Sequence, residues 1–179
     1  MKNYLSLLLL LLATATFAQD KIQWMTMNEA LAAQKEEPKK IIMDVYTNWC
    51  GPCKLMDRDT FGNAQVAQFI NENYYPVKFN AEGKEPVDYQ GFVYTNPNYK
   101  EGRRGRNATH FFADALRLQG YPSIVFFEED GTLIQALPGF RSPAQIEIFL
   151  KMIANDDYKE LTTAEAWADY QKNFKGTFE

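Results

Sequence analysis

The stretch Thr47 to Lys54, "TNWCGPCK", holds both cysteines of the chain, Cys50 and Cys53. Two thiols at this spacing have three uses: a structural disulfide, half of a metal site, or a pair that cycles between dithiol and disulfide. A structural cross-link acts mainly by restricting the unfolded chain, and a CxxC ring is too small to restrict it much. Structural zinc takes four ligands, and the only histidine, His110, falls in a segment that reads as a helix, "ATHFFADALRL". Copper(I) held by two thiolates remains open on grounds of softness, as does the plain structural disulfide. The redox reading has the most physical support. "CGPCKLMDRDT" reads as a helix beginning at or just after Cys50, with Gly51 ahead of a Pro52 that is tolerable in the first turn. Unpaired N–H groups and the helix dipole stabilise an anion at that end, and the thiolate is the reactive form of cysteine. Cys50 is therefore the expected attacking sulfur. Cys53, one turn further and more buried, is the expected resolving thiol, with exchange running through a mixed disulfide.

The surrounding elements must position that pair. "KKIIMDVYT" directly before it is a continuous apolar strand interrupted by Asp44, as suits a strand covered on both faces. Upstream, a short extended run "KIQWMT" leads into a capping box, Thr26 with Glu29, that opens "MNEALAAQKEE". Downstream, Phe61-Gly62 breaks the cysteine helix, Asn63 caps "AQVAQFINEN", and "YPVKFNA" is the next strand. Residues 83–106 are rich in Gly, Pro, Asn, Tyr and Arg, with a hairpin expected at Gln90-Gly91 and loop after it. Asn107 is the expected cap of the His110 helix. "YPSIVFFEE", a "DG" turn and "TLIQALPGF" read as an antiparallel hairpin, followed by a helix at Ser142-Pro143. Thr162 or Thr163 caps a last helix carrying Trp167, Tyr170 and Phe174 as a packing face. Alternation of strands and helices predicts an α/β fold with a mixed central sheet, mainly parallel, closed by the antiparallel hairpin.

Composition sets the compartment. The 179 residues are 46% hydrophobic and carry net charge -4, enough for one well-filled domain and unfavourable for nucleic acid. Lys2, the run "YLSLLLLLLATA" and the small residues Thr16 and Ala18 read as a signal peptide cut after Ala18. The run is too short for a comfortable membrane span. Removing Lys2 leaves 18 basic against 23 acidic residues, or -5. The expected division is a leader at 1–18, a domain at 19–155 that includes the inserted segment 83–106, and a helical extension at 156–179. An exported chain, most simply periplasmic, meets surroundings where disulfides persist.

"WCGPCK" matches the active-site motif of the thioredoxin family at every position, and the chain is identified as a member of that family. Asp44, six residues before Cys50, stands where thioredoxins carry a buried acid. Lys78 in "PVKFNAE" matches that acid's lysine partner, Pro122 in "GYPSIVFF" the cis-proline, and Gly139 in "LPGF" the glycine ending the last strand. The resemblance implies a thioredoxin fold, a redox-active Cys50–Cys53 disulfide with no other cofactor and no metal, Asp44 as base toward Cys53, and Lys78 as its partner. It further implies a Tyr121-Pro122 docking edge and Trp49 as a partly exposed aromatic beside Cys50. The stretch after Cys53 is similar to exported thioredoxin-like proteins, including the C-terminal domain of the periplasmic thiol:disulfide interchange reductase.

Gly51-Pro52, a buried acid and no His beside Cys53 resemble the reducing members. The expected activity is reduction of disulfides in exported proteins by a soluble monomer, recharged by a membrane thiol relay. The alternatives are a binding module or chaperone holding a client thiol or copper(I), and an oxidase or isomerase running the same exchange in reverse. In the inserted segment, Tyr89, Phe92, Tyr94, Tyr99 and the cluster Arg103, Arg104, Arg106 form either a substrate-selecting flap or a solvated decoration.

Overall fold

A computed structural model describes residues 21–179; the leader expected at 1–18 lies outside the described residues. The elements in chain order are α1 (Met27–Glu36), β1 (Ile41–Tyr46), α2 (Gly51–Asp59), α3 (Ala64–Asn73), β2 (Tyr75–Asn80), β3 (Val87–Tyr89), β4 (Phe92–Tyr94), α4 (Phe111–Ala115), β5 (Ser123–Phe127), β6 (Leu133–Pro138), α5 (Pro143–Ala154), a 3-10 turn (Asp157–Lys159) and α6 (Ala164–Asn173). Four strands form one sheet in the order β2-β1-β5-β6, and β3 and β4 form a separate hairpin. The result is a thioredoxin fold, a mixed sheet between two helical layers.

The sheet corrects one expectation. Among the four described strands of the sheet, only β1 and β2 pair in parallel; β1–β5 and β5–β6 are antiparallel. The helices α2 and α3 carry the chain back across the sheet between β1 and β2, giving the parallel pair. Residues 81–122 make no such crossing. They start where β2 ends and deliver the chain to β5 beside Val45, which pairs with Ser123. Strand β5 therefore runs back against β1. The extended run before α1 joins the outer edge of β2 through one bridge, Met25 to Val77.

Strand β1 is apolar on both faces because both are covered. Ile41, Met43 and Val45 pack under α1, β3 and α4 with Met27, Val87, Tyr89 and Phe112. Ile42 faces Met56 of α2, Val66 and Ile70 of α3, and Ile146 and Leu150 of α5. Complete burial of one such side chain stabilises the fold by about 1.5–3 kcal/mol.

Local capping follows the sequence at most ends. Thr26 and Glu29 form the expected capping box. The Asn63 side chain accepts from the N–H groups of Gln65 and Val66, and Ser142 with Gln145 closes another box. Gly62 is required where it stands, since a Cβ there would lie 2.3 Å from the Arg58 carbonyl oxygen. Gln90 and Gly91, both at positive φ, turn the β3–β4 hairpin.

The His110 segment departs from expectation. Asn107 does not cap the helix; its side chain closes a loop on Lys100 by two 2.9 Å hydrogen bonds. The cap is His110, whose Nδ1 accepts from Phe112 N–H at 3.0 Å. Its Nε2 bonds the Glu85 carbonyl at 3.0 Å, so the ring is fully buried and spans two segments. At the other end of the chain, Phe149, Trp167, Tyr170 and Phe174 form a continuous aromatic row that seats α6. Among the described residues, no helix is long and apolar enough to cross a membrane.

Candidate active site

Cys50 is the N-cap residue of α2, with extended backbone, and its sulfur accepts the Cys53 N–H at 3.2 Å. The two sulfurs are bonded, with the Cα atoms 5.3 Å apart. Both residues are buried, each only 2% exposed. The expected geometry of a cysteine at a helix N-terminus is present, and it is the geometry that favours a thiolate once the bond opens. Gly51 and Pro52 lie exposed in the first turn.

Beneath the pair, the strand register places Asp44 directly opposite Lys78. Successive side chains alternate across a strand, so Asp44 shares Ile42's face and points toward the α2 layer. It is 1% exposed. Its Oδ2 takes the Lys78 ammonium at 2.5 Å, while its Oδ1 is buried and accepts no hydrogen bond among the described residues. Burial raises the Asp44 pKa to about 6, against the opposing pull of Lys78. Burial alone would lower the pKa of Lys78; the carboxylates of Asp44 and Asp57 outweigh it and leave the ammonium's pKa raised.

Asp57 is a member of this cluster that the sequence reading missed. It lies four residues after Cys53, one helical turn on, and shares the Lys78 ammonium with Asp44. The signal was present in that spacing, but nothing local said that Lys78 would lie between two acids. Trp24, Tyr46 and Phe61 complete the lysine's surroundings, with ring centroids 5.0, 5.0 and 5.7 Å from Nζ. A pocket of about 410 Å³, lined in part by Trp24, Asp57, Phe61 and Lys78, opens on this side.

Above the pair, Trp49 is 36% exposed and held on three sides. Its Nε1 donates to both carboxylate oxygens of Glu82 at 3.0 Å. Tyr121 packs edge-on at 6.4 Å. The Arg106 guanidinium lies over the indole at 4.3 Å. Glu82 was another residue missed, although it stands only four positions beyond Lys78. The Tyr121–Pro122 peptide is cis, and the Pro122 carbonyl accepts the Gly139 N–H at 2.8 Å, tying this edge to the end of β6. Gly139 has φ 88, a conformation glycine adopts freely.

The inserted segment 83–106 is part core and part rim. Val87 and Tyr89 are buried in the sheet's first core, so Tyr89 is not a surface contact. Tyr94 packs on Phe112, and Tyr99 lies beside Lys84. Phe92 is exposed at the hairpin tip. The hairpin is docked on α1 by Asn28, which donates to the Pro86 carbonyl at 3.1 Å and accepts from Asp88 N–H at 2.8 Å. Of the residues named for a flap, Arg106 is brought against the motif itself. Among the described residues, no three or more His, Cys, Asp or Glu side chains gather as a metal site.

Comparison with known proteins gives the same fold. The first curated relatives match only a segment, and the chain spans about a tenth of their length. One is rat spermatogenesis-associated protein 20, 30% identical over 79 residues, which are 42% of this chain and 10% of that protein. Among solved structures, a thioredoxin-fold protein from Helicobacter pylori superposes with TM-score 0.60 at 17% identity, covering 86% of this chain and 89% of that one. A structure described as DsbH oxidoreductase superposes with TM-score 0.53 at 17% identity, covering 76% and 85%. These likenesses show the fold alone. The Thioredoxin-like domain family matches residues 27–154, most of the chain and every residue of the site but Trp24, and the chain belongs to that family.

Proposed function

We propose that this protein is an exported thiol-disulfide oxidoreductase whose main direction is reduction of protein disulfides. One observation carries the reading: a Cys50–Cys53 bond at the N-terminus of α2, a helix joined through Asp57 and Lys78 to a buried carboxylate, Asp44, with a pKa of about 6. In the dithiol state, the Cys50 thiolate attacks one sulfur of a client disulfide. The other client sulfur leaves as a thiolate, and Cys50 becomes joined to the client. Cys53 then gives its proton to Asp44, directly or through water, and attacks the Cys50 sulfur. The second client thiolate leaves, and the pair ends in the bonded state described above. A base with a pKa near 6 is matched to this transfer at neutral pH. Lys78 holds Asp44 in place, and the Tyr121-Pro122 edge offers backbone to an extended client segment.

Two electrons must then be returned to the pair, and the proposed source is a membrane thiol relay. Export rests on the leader read in residues 1–18. The reducing direction rests on Gly51-Pro52 and on the lack of a histidine beside Cys53.

The test is reduction of insulin in the presence of dithiothreitol. The wild type should be faster than Cys50→Ser by orders of magnitude; equal rates would end the enzyme reading in favour of a binding module. Cys53→Ser should accumulate clients as mixed disulfides on Cys50. Equilibration with glutathione separates the directions. A potential near thioredoxin's roughly -270 mV supports a reductase, and one near the roughly -120 mV of a strong oxidant reverses the assignment.

A further inference from the structure

The loop that precedes α4 is the most basic stretch of an acidic chain. Lys100, Arg103, Arg104 and Arg106 stand there with one acid, Glu101, in a protein of net charge -4. Glu101 is spent on Lys84 at 3.0 Å. The three arginines are exposed, and among the described residues none of them is in an ion pair.

Their placement is built rather than incidental. Asn96, itself buried, donates to the carbonyls of Gly83 and Ala108 at 2.9 and 2.7 Å and so joins the two ends of the segment. Asn107 closes the loop on Lys100 and gives its own N–H to Glu82 at 2.7 Å. That same Glu82 holds the Trp49 indole. One carboxylate therefore fixes both the active-site aromatic and the residue next to Arg106, and the guanidinium is laid on the indole at 4.3 Å. By chain reach, the Cα atoms of Arg104 and Arg103 lie within roughly 8 and 11 Å of that of Arg106. Glu82 is the acid nearest Trp49 in this network, and its oxygens are already occupied by two donors.

From this we propose that the arginine loop selects clients, favouring disulfides flanked by acidic residues. The inference rests on the oxidoreductase reading and names the substrate class of the same site. Arg106 is a positioning and specificity residue: it touches Trp49, next to Cys50, and would meet a client segment flanking the attacked disulfide. Exposed opposite charges at an interface rim act mainly on the rate of encounter and on discrimination. Arginine also pairs with carboxylates in a two-pronged geometry that lysine lacks.

The experiment uses two synthetic peptides that share one disulfide and differ only in acidic or basic flanks. Their reduction by the dithiothreitol-reduced protein is followed in single turnovers at low salt. The acidic peptide should react about fivefold faster or more, the scale of a few exposed ion pairs. The preference should shrink toward unity near 1 M salt, where the screening length is about 3 Å. Arg103→Gln/Arg104→Gln and, separately, Arg106→Gln should each lower the ratio of the two rates, a readout in which any general loss of activity cancels. Equal rates for the two peptides in the wild type overturn the selection proposal and leave the oxidoreductase reading standing. So does a ratio untouched by all three substitutions. If neither peptide nor insulin is reduced, both fall together.

Discussion

Replacing Asp44 by Asn should change how stability depends on pH, and the structure gives the size of the change. Asp44 is 1% exposed, and its pKa stands at about 6 in the fold against an ordinary 3.8. A carboxyl whose pKa is raised by folding is held more tightly as the acid in the native state. Stability is therefore lost as pH rises from the unfolded value through the folded one, and the loss is complete above about pH 6. At about 1.4 kcal/mol per tenfold, the full loss is about 3 kcal/mol, of which roughly 2.5 falls between pH 4 and pH 8. Asparagine cannot ionise and escapes this loss. It carries a fixed cost of its own from a poorly partnered amide and a lysine left with Asp57 alone, and that cost cancels when the two pH values are compared. Urea unfolding of both proteins without reductant keeps the cysteines bonded and silent. The stability of Asp44→Asn relative to wild type should improve by roughly 2.5 kcal/mol from pH 4 to pH 8, or about 5–10 °C in Tm. An improvement below about 1 kcal/mol, or a change of opposite sign, would mean that Asp44 is not the buried, raised acid that the proposed proton transfer needs.

Asp57→Asn should lower the pH at which Asp44 titrates, since it removes a neighbouring negative charge and a competitor for Lys78, whereas Lys78→Met should raise it; carboxyl-carbon NMR of the oxidised protein reads both directions. Gly62→Ala should cost about 2 kcal/mol or more in urea unfolding, because its methyl would meet the Arg58 carbonyl oxygen at 2.3 Å. Burial holds the His110 pKa below 6.5, so its stabilisation is present above that value and fades as pH falls through the folded one. His110→Ala should cost about 2–4 kcal/mol at pH 7.5 through a cavity and two lost hydrogen bonds, and less under acid conditions.

What could be read from the residues divides by range. Caps and turns were legible because their chemistry is contained in three or four neighbours: Thr26 with Glu29, Asn63, Gln90-Gly91, Ser142 with Gln145. The His110 cap was misplaced because Asn is the commoner cap, and only the Glu85 carbonyl, 25 residues away, makes histidine the better one there. Strand direction failed for a similar reason. Alternation of helix and strand predicts a parallel return only when the intervening chain crosses the sheet, and residues 81–122 stay at one end. The motif and its resemblances named Cys50, Cys53, Asp44, Lys78 and Pro122 without geometry. Asp57 and Glu82 went unread because each owes its place to a partner on another element, even though the spacing of Asp57 from Cys53 was a signal. The arginines were noticed as a cluster, but their position over Trp49 depends on Glu82 and Asn107 meeting in space.

The 2% exposure of Cys50 carries a consequence for whatever meets it. Exchange at sulfur requires the three sulfurs to lie nearly in line, and a sulfur this enclosed leaves only a narrow channel for that line. A disulfide locked inside a rigid body cannot enter that channel. It must first be lifted out on a strand that has lost its own neighbours, and that lifting has a free energy set by the other molecule. The rate at which two proteins are processed would then rank them by how readily they loosen around their cross-links. The enclosed sulfur would act as a gauge of disorder in its surroundings, passing over well-folded molecules and engaging those that have begun to open.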